Sequence, residues 1–279
     1  MKVAIGGYSF NHLFLEGSMD IFGYLETVKY RYRLDAVDLW NAQIAERTLP
    51  FLTLFDDQKL RLIRLALEER ELPLLNIAVD TAHIWDPNPE VRERLHQNAL
   101  AHLRASVLLG AQSVRIDTGA HGDSEFSDEA FDFIAGRYRE YCAFAAEHGM
   151  RLGPENHMGP SLVPSELVRL AKAVDEPNFG VLLHMNRWSE DRECGDESIA
   201  PWVYHVHFDA KTAVLDDAAN KVNMLKDAGY EGYWSLEHNA PADRSYIETE
   251  YLLSRIKKHL ADADLLRQTT KGVESVCNL

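Results

Sequence analysis

Glu155, Asn156 and His157 stand side by side in the string LGPENHMGP, a carboxylate, an amide and an imidazole closing a short apolar run. A second string, WVYHVHFDAK, alternates strictly: Trp202, Tyr204, Val206 and Phe208 on one parity, Val203, His205, His207 and Asp209 on the other. GVLLHMNRW sets Val181, Leu183 and Met185 against Leu182, His184 and Asn186, and YWSLEHNA sets Trp234 and Leu236 against Ser235, Glu237 and Asn239. The same alternation earlier in the chain yields Asp38 with Trp40, and Arg115 with Asp117. Successive side chains of a strand point to opposite faces, so these runs keep one apolar face and collect carboxylates and imidazoles on the other. Burying such groups without partners costs roughly 2–7 kcal/mol each. A divalent cation resolves that cost economically, because imidazole and carboxylate lone pairs can converge on one point. Glu155 then reads as one ligand among several.

Such convergence needs strands that end together. Apolar or β-rich runs recur at 3–10, 34–40, 73–80, 113–118, 150–156, 179–185, 202–208 and 233–237. Between most of them lie stretches of helical periodicity: 56–71 places Leu60, Ile63, Leu65 and Leu67 on roughly one face, and 89–111 and 128–149 behave likewise. Gly110 and Gly149 sit where helix C-terminal glycines belong, and Ser165, after Pro164, is read as an N-cap. The polar segment between Met185 and Trp202 leaves room for only a stub of helix. Eight strands alternating with helices, at about 30 residues per βα unit, predict a single-domain (β/α)8 barrel of about 250 residues. The expected barrel spans residues 1–262, with 263–279 a C-terminal tail whose periodicity fades after about Leu266. A doubly wound open sheet would advertise a glycine-rich first turn, and GGYSFNH is a poor match to GxGxxG.

The 279 residues carry 44 acidic against 29 basic side chains, a formal charge of −15, with no Lys/Arg cluster. A field of that sign repels phosphate backbones and anionic lipid, so neither nucleic acid nor membrane is an expected partner. No run of about 18 apolar residues suggests a membrane span, and the first residues lack the pattern of a secretory leader. The three cysteines, Cys142, Cys194 and Cys277, form no disulfide framework or zinc pair, which fits a reducing cytoplasm.

With these motifs in place, the chain resembles the xylose isomerase-like (β/α)8 sugar isomerase/epimerase family. PENHMG, HVHFDAK and GYEGYWSLEH are similar to that family's fifth, seventh and eighth strand ends, and DPNPEVRERLHQNALAHLRASVLLGAQSVRI to its segment after strand three. The likeness runs from about residue 1 to 260. It implies a divalent ion, Mn before Co, Fe, Zn or Mg, held by Glu155, a strand-six residue, His207 and Glu237. It implies a small carbohydrate-like substrate, and it allows a homo-oligomer. The family places Asp, often as D-x-x-H, where this chain reads His184 in HMNR. Either His184 ligates in its stead, or three protein ligands remain. An imidazole there removes one negative charge and tilts preference from Mg towards Mn, Fe, Co or Zn.

The resemblance further implies Glu155 and Glu237 as the carboxylates that remove and return a proton beside a metal-polarised carbonyl, through an enediolate. Isomerisation or epimerisation follows; loss of a β-leaving group instead would make a lyase or dehydratase. His157, Arg187, Asp209 and Lys211 follow the ligand strands, where loop residues touch substrate, and Trp40, Asp117 and Trp188 are further wall candidates. Competing readings stand beside these. Glu155 and Glu237 could be interior acids paired with Arg115 or Lys211; His207 could be a core histidine; His205, deeper on the same face, is read as structural. A multi-metal phosphodiesterase and a barrel without catalysis are the remaining classes.

Overall fold

In the computed structural model, which describes residues 1–46 and 52–276, with side chains to 269, eight parallel strands alternate with helices. The strands are β1 (Val3–Ile5), β2 (Val37–Trp40), β3 (Leu74–Val79), β4 (Ser113–Ile116), β5 (Arg151–Gly153), β6 (Val181–His184), β7 (Val203–Asp209) and β8 (Trp234–Glu237). Hydrogen bonding runs β1-β8-β7-β6 in one half and β2-β3-β4-β5 in the other. Parallel bridges close the ring: Gly6 with Asp38 joins β1 to β2, and Leu152 with Phe179 and Glu155 with Leu182 join β5 to β6. The last seam requires close backbones, because a Cβ on Gly153 would lie 1.7 Å from the Gly180 carbonyl oxygen. The result is the expected (β/α)8 barrel. A small antiparallel hairpin, Ala45–Glu46 with Thr53–Leu54, follows β2.

The outer ring contains α1 (Ile21–Glu26), α2 (Asp57–Glu69), α3 (Pro89–Leu109), α4 (Asp128–Glu147), α5 (Pro164–Val174), α6 (Gly195–Ile199), α7 (Ala218–Asp227) and α8 (Ser245–Val276). Asp56, Asn88 and Ser127 cap α2, α3 and α4 by accepting from backbone amides, which satisfies donors that a helix start leaves unpaired. Gly110 ends α3 at φ 73°. The start of α5 differs from expectation: Pro164 is its first residue and Val163 the N-cap, so Ser165 lies inside the helix. Pro's missing N–H and fixed φ suit that position. The short α6 is the anticipated stub. Helix α8 continues through residue 262; Leu252, Leu253, Ile256, Leu260 and Ala263 are buried, and exposed side chains predominate beyond. Leu62 and Leu65, on the outer side of α2, are exposed while Leu60, Ile63 and Leu67 face the barrel. No helix among the described residues is long and apolar enough to cross a membrane.

Candidate active site at the C-terminal mouth of the barrel

The three neighbours of the PENHMG string do three different jobs. Glu155 turns into the barrel. Asn156 is fully buried and stitches β5 to β6: its Nδ2 donates to the carbonyls of His184 and Arg187, both at 2.9 Å, and its Oδ1 accepts from the His184 amide at 2.7 Å. His157 faces back to β4, with Nδ1 2.8 Å from Asp117 Oδ2. Asp117 also accepts from the Glu155 amide through Oδ1, at 3.0 Å. The strand ends are therefore cross-braced on both sides of Glu155.

Around Glu155 the structure brings together His184, His207 and Glu237, each offering one ligand atom, and all four atoms lie within 4.8 Å of one another. His184 Nδ1 is 3.2 Å from Glu155 Oε1 and 4.0 Å from Glu237 Oε2. His207 Nδ1 contacts Glu237 Oε2, lies 3.9 Å from Glu155 Oε1, and among the described residues has no partner in hydrogen-bond geometry. That buried nitrogen, pressed among carboxylate oxygens without hydrogen-bond geometry to any described residue, fits a divalent ion: the two carboxylates supply charge and the two imidazoles supply neutral donors. His207 Nε2 points the other way, 3.0 Å from Asp38 Oδ2.

The positive charges are placed as deliberately. Arg187 Nη1 donates to Glu155 Oε1 at 2.7 Å. The preceding Asn186 adopts φ 62°, a left-handed turn that Asn tolerates, with its amide held by Asp196. Arg115 donates through Nη1 to Asp80 at 2.9 Å and Asp117 at 2.7 Å, and its Nε lies 3.3 Å from Glu155 Oε2. Burial alone would lift the Glu155 carboxyl, but His184, Arg115, His157 and His207 outweigh it and hold Glu155 well below the usual range. Burial likewise opposes ionisation of Glu237, and His207 overcomes it. His157 is raised despite its burial, by Asp117. Asp209 falls to about 2, burial being outweighed by His184 and the Thr212 amide.

A cleft of about 250 Å³ opens onto this cluster; Tyr8, Trp40, Asp80, Arg115, His157 and Arg187 form much of its wall above Glu155, His207 and Glu237. Trp40 stands edge-on to Tyr8, with ring centroids 5.1 Å apart, and its Nε1 donates to Asp80. Among the remaining sequence candidates, Asp117 is fully buried, its oxygens taken by Arg115, His157 and the Glu155 amide, so it braces the site and does not line the cleft. Asp209 lies 3.5 Å from His184 Nε2 and caps the turn at Thr212. Lys211 is exposed on that turn, outside the cleft wall. Trp188 is core, its indole bonded to Asp196. His205 bonds Asp38 at 2.9 Å, in the structural position read for it. Asp80 and Tyr8 were not singled out from the sequence. For Asp80 a signal existed: Asn76, Ala78 and Asp80 share one parity in β3 and its extension.

A closed parallel barrel with a carboxylate–imidazole cluster at its C-terminal mouth defines a class of enzyme-like (β/α)8 proteins. The family model described as xylose isomerase-like TIM barrel matches residues 34–267, and the chain belongs to that family. Among curated proteins, the chain is 29% identical over 100 residues to a 3-dehydroshikimate dehydratase of Bacillus anthracis; the match covers 34% of this chain and spans about a third (35%) of that relative. Among solved structures it is similar to D-psicose 3-epimerase (TM-score 0.71, 16% identity, 95% of this chain and 99% of the other). It is similar to 3-keto-D-glucoside 4-epimerase of E. coli (TM-score 0.69, 16% identity, 91% and 99%). A probable 3-DHS dehydratase of Bacillus anthracis is similar also (TM-score 0.66, 17% identity, 91% and 99%). Epimerases and a dehydratase thus share this architecture.

Proposed function

We propose that the protein is a divalent-metal-dependent isomerase or epimerase of a keto-sugar or polyol-like substrate, with Glu155, His184, His207 and Glu237 as ligands. The carrying observation is the convergence of those four donor atoms within 4.8 Å beneath the cleft. The bound ion, Mn in first place, would polarise a substrate carbonyl and acidify the neighbouring C–H. Glu155 and Glu237 are the proton-transfer pair: one takes the proton from carbon, giving an enediolate, and the other returns it. Arg187 and His157, both on the cleft wall, donate to substrate oxygens; Tyr8 and Trp40 cover the ring. Asp209 acts by holding His184.

Arg115 argues against a multi-metal, phosphodiester-cleaving centre. Asp117, Glu155 and His157 could otherwise hold a second ion, but the Arg115 guanidinium already lies 2.7 Å from Asp117 and 3.3 Å from Glu155. A fixed cation there repels another.

One observation favours a second reading, dehydration. His157 is held protonated more strongly than an ordinary imidazole and lines the cleft. If a carboxylate removes the proton from carbon and His157 gives its proton to a β-hydroxyl, water leaves and a C=C bond forms. The sequence likeness to a dehydratase points the same way. Incubating Mn-loaded protein in D2O with a panel of ketohexoses and alicyclic hydroxy ketones separates the readings by mass. A product heavier by one mass unit, carrying deuterium beside the carbonyl, supports the isomerase; a product lighter by one water supports the dehydratase. Absence of both deuterium incorporation and water loss across the panel would count against proton abstraction at this site.

A further inference from the structure

Asp38 is the meeting point of four strands. Its Oδ2 accepts from His205 Nε2 at 2.9 Å, His207 Nε2 at 3.0 Å and Ser235 Oγ at 2.7 Å; its Oδ1 accepts from Asn76 Nδ2 at 3.1 Å. The carboxylate is 1% exposed, at the floor of the cleft. Its backbone is fixed as well, since the Tyr24 hydroxyl bridges the carbonyls of Ile5 and Asp38 at 2.6 and 3.1 Å. Strands β3, β7 and β8 thus aim donors at one acid on β2.

We infer that Asp38 is a positioning residue that fixes the orientation and tautomer of His207, so that Nδ1 rather than Nε2 is presented to the proposed metal site. The inference rests on the ligand set proposed above. An ionised carboxylate only accepts hydrogen bonds, so the imidazole nitrogen facing it must carry hydrogen. With Nε2 committed to Asp38, the lone pair of neutral His207 lies on Nδ1. That is the nitrogen in contact with Glu237 and, among the described residues, lacking a partner in hydrogen-bond geometry. Metal-bound imidazoles generally give their second nitrogen to such an acceptor, which raises ligand basicity and locks the ring. His205 shares the same oxygen without reaching Glu155 or Glu237, so it steadies Asp38 from below.

The test measures Mn2+ binding by calorimetry on the metal-depleted full chain. Asp38→Asn is expected to weaken Mn2+ about 10- to 100-fold with one site retained. Asn76→Ala removes the donor to the other oxygen and is expected to leave affinity within the wild-type order of magnitude. A folded Asp38→Asn chain binding at wild-type strength would overturn the role. Complete loss of binding, with the fold intact, would instead place Asp38 among the ligands and also overturn it. If Asp38→Asn does not fold, 15N spectra of histidine-labelled wild type loaded with Zn2+ decide. Protonated Nε2 on His207 supports the inference; protonated Nδ1 ends it. Wild type that binds neither ion would remove the ligand set as well, an outcome distinct from the others.

Discussion

Asn156 and His184 are joined by a reciprocal pair of hydrogen bonds, Nδ2 to the His184 carbonyl at 2.9 Å and the His184 amide to Oδ1 at 2.7 Å. A buried amide thus completes the pairing where the β5–β6 seam has only isolated bridges, and it sets Glu155 beside the His184 ring.

Replacing Asn156 with Ala leaves the His184 amide and two carbonyls without these partners inside the barrel. The His184 carbonyl keeps the Arg187 amide at 3.2 Å, so two groups go unsatisfied; at about 1–3 kcal/mol each, a loss of about 2–6 kcal/mol is expected by denaturant unfolding. Mn2+ affinity should fall with it, because His184 loses its anchor. Unchanged stability would refute the seam.

Metal content distinguishes the proposed centre from its neighbour cluster Asp38, His205 and His207. Wild type purified without chelator is expected to carry one divalent ion per chain by elemental analysis. His184→Ala and Glu237→Gln should lower occupancy; His205→Gln should keep it. The reverse pattern would move the ion to the lower cluster, and no ion in wild type would favour a barrel without catalysis.

In the chelated protein His207 is pushed up to about 10, its burial outweighed by Glu237 and Asp38. A folded value above the unfolded one, about 6.5, means that this pairing stabilises fully below about pH 6.5 and is lost as pH rises towards 10. The Tm of chelated protein should therefore fall across that window. Metal requires His207 deprotonated, so stabilisation by added Mn2+ should grow over the same range. Parallel slopes with and without metal would contradict the assignment of His207.

Cys142 is buried and its thiol is pushed up to about 12, by desolvation first and Glu176 second; Cys194 is exposed. Since thiolate is the reacting species, a Cys194→Ser/Cys277→Ser chain should show no reaction with a disulfide reagent at pH 8 until denatured. Rapid labelling of the native chain would mean that the α4 interior opens.

Alternation of side-chain parity in the strands made both the barrel and its polar interior readable in advance, because each strand reports locally which face is buried. Glu155, His184, His207 and Glu237 fell on that inner parity, and all four meet at the mouth. Parity does not measure depth or partner, and there the readings diverged. Asp117 has the right parity yet is enclosed by Arg115 and His157. Lys211 follows the right strand yet lies on the outer side of its turn.

The eight-strand order, the inward faces and the donor types are properties of short segments, and the chain's own spelling decides them. Whether His184 approaches Glu155, and which nitrogen of His207 turns from Asp38, depend on residues up to 169 positions apart. Barrel closure alone sets those distances, since the shear between strands is a collective quantity that no single stretch encodes.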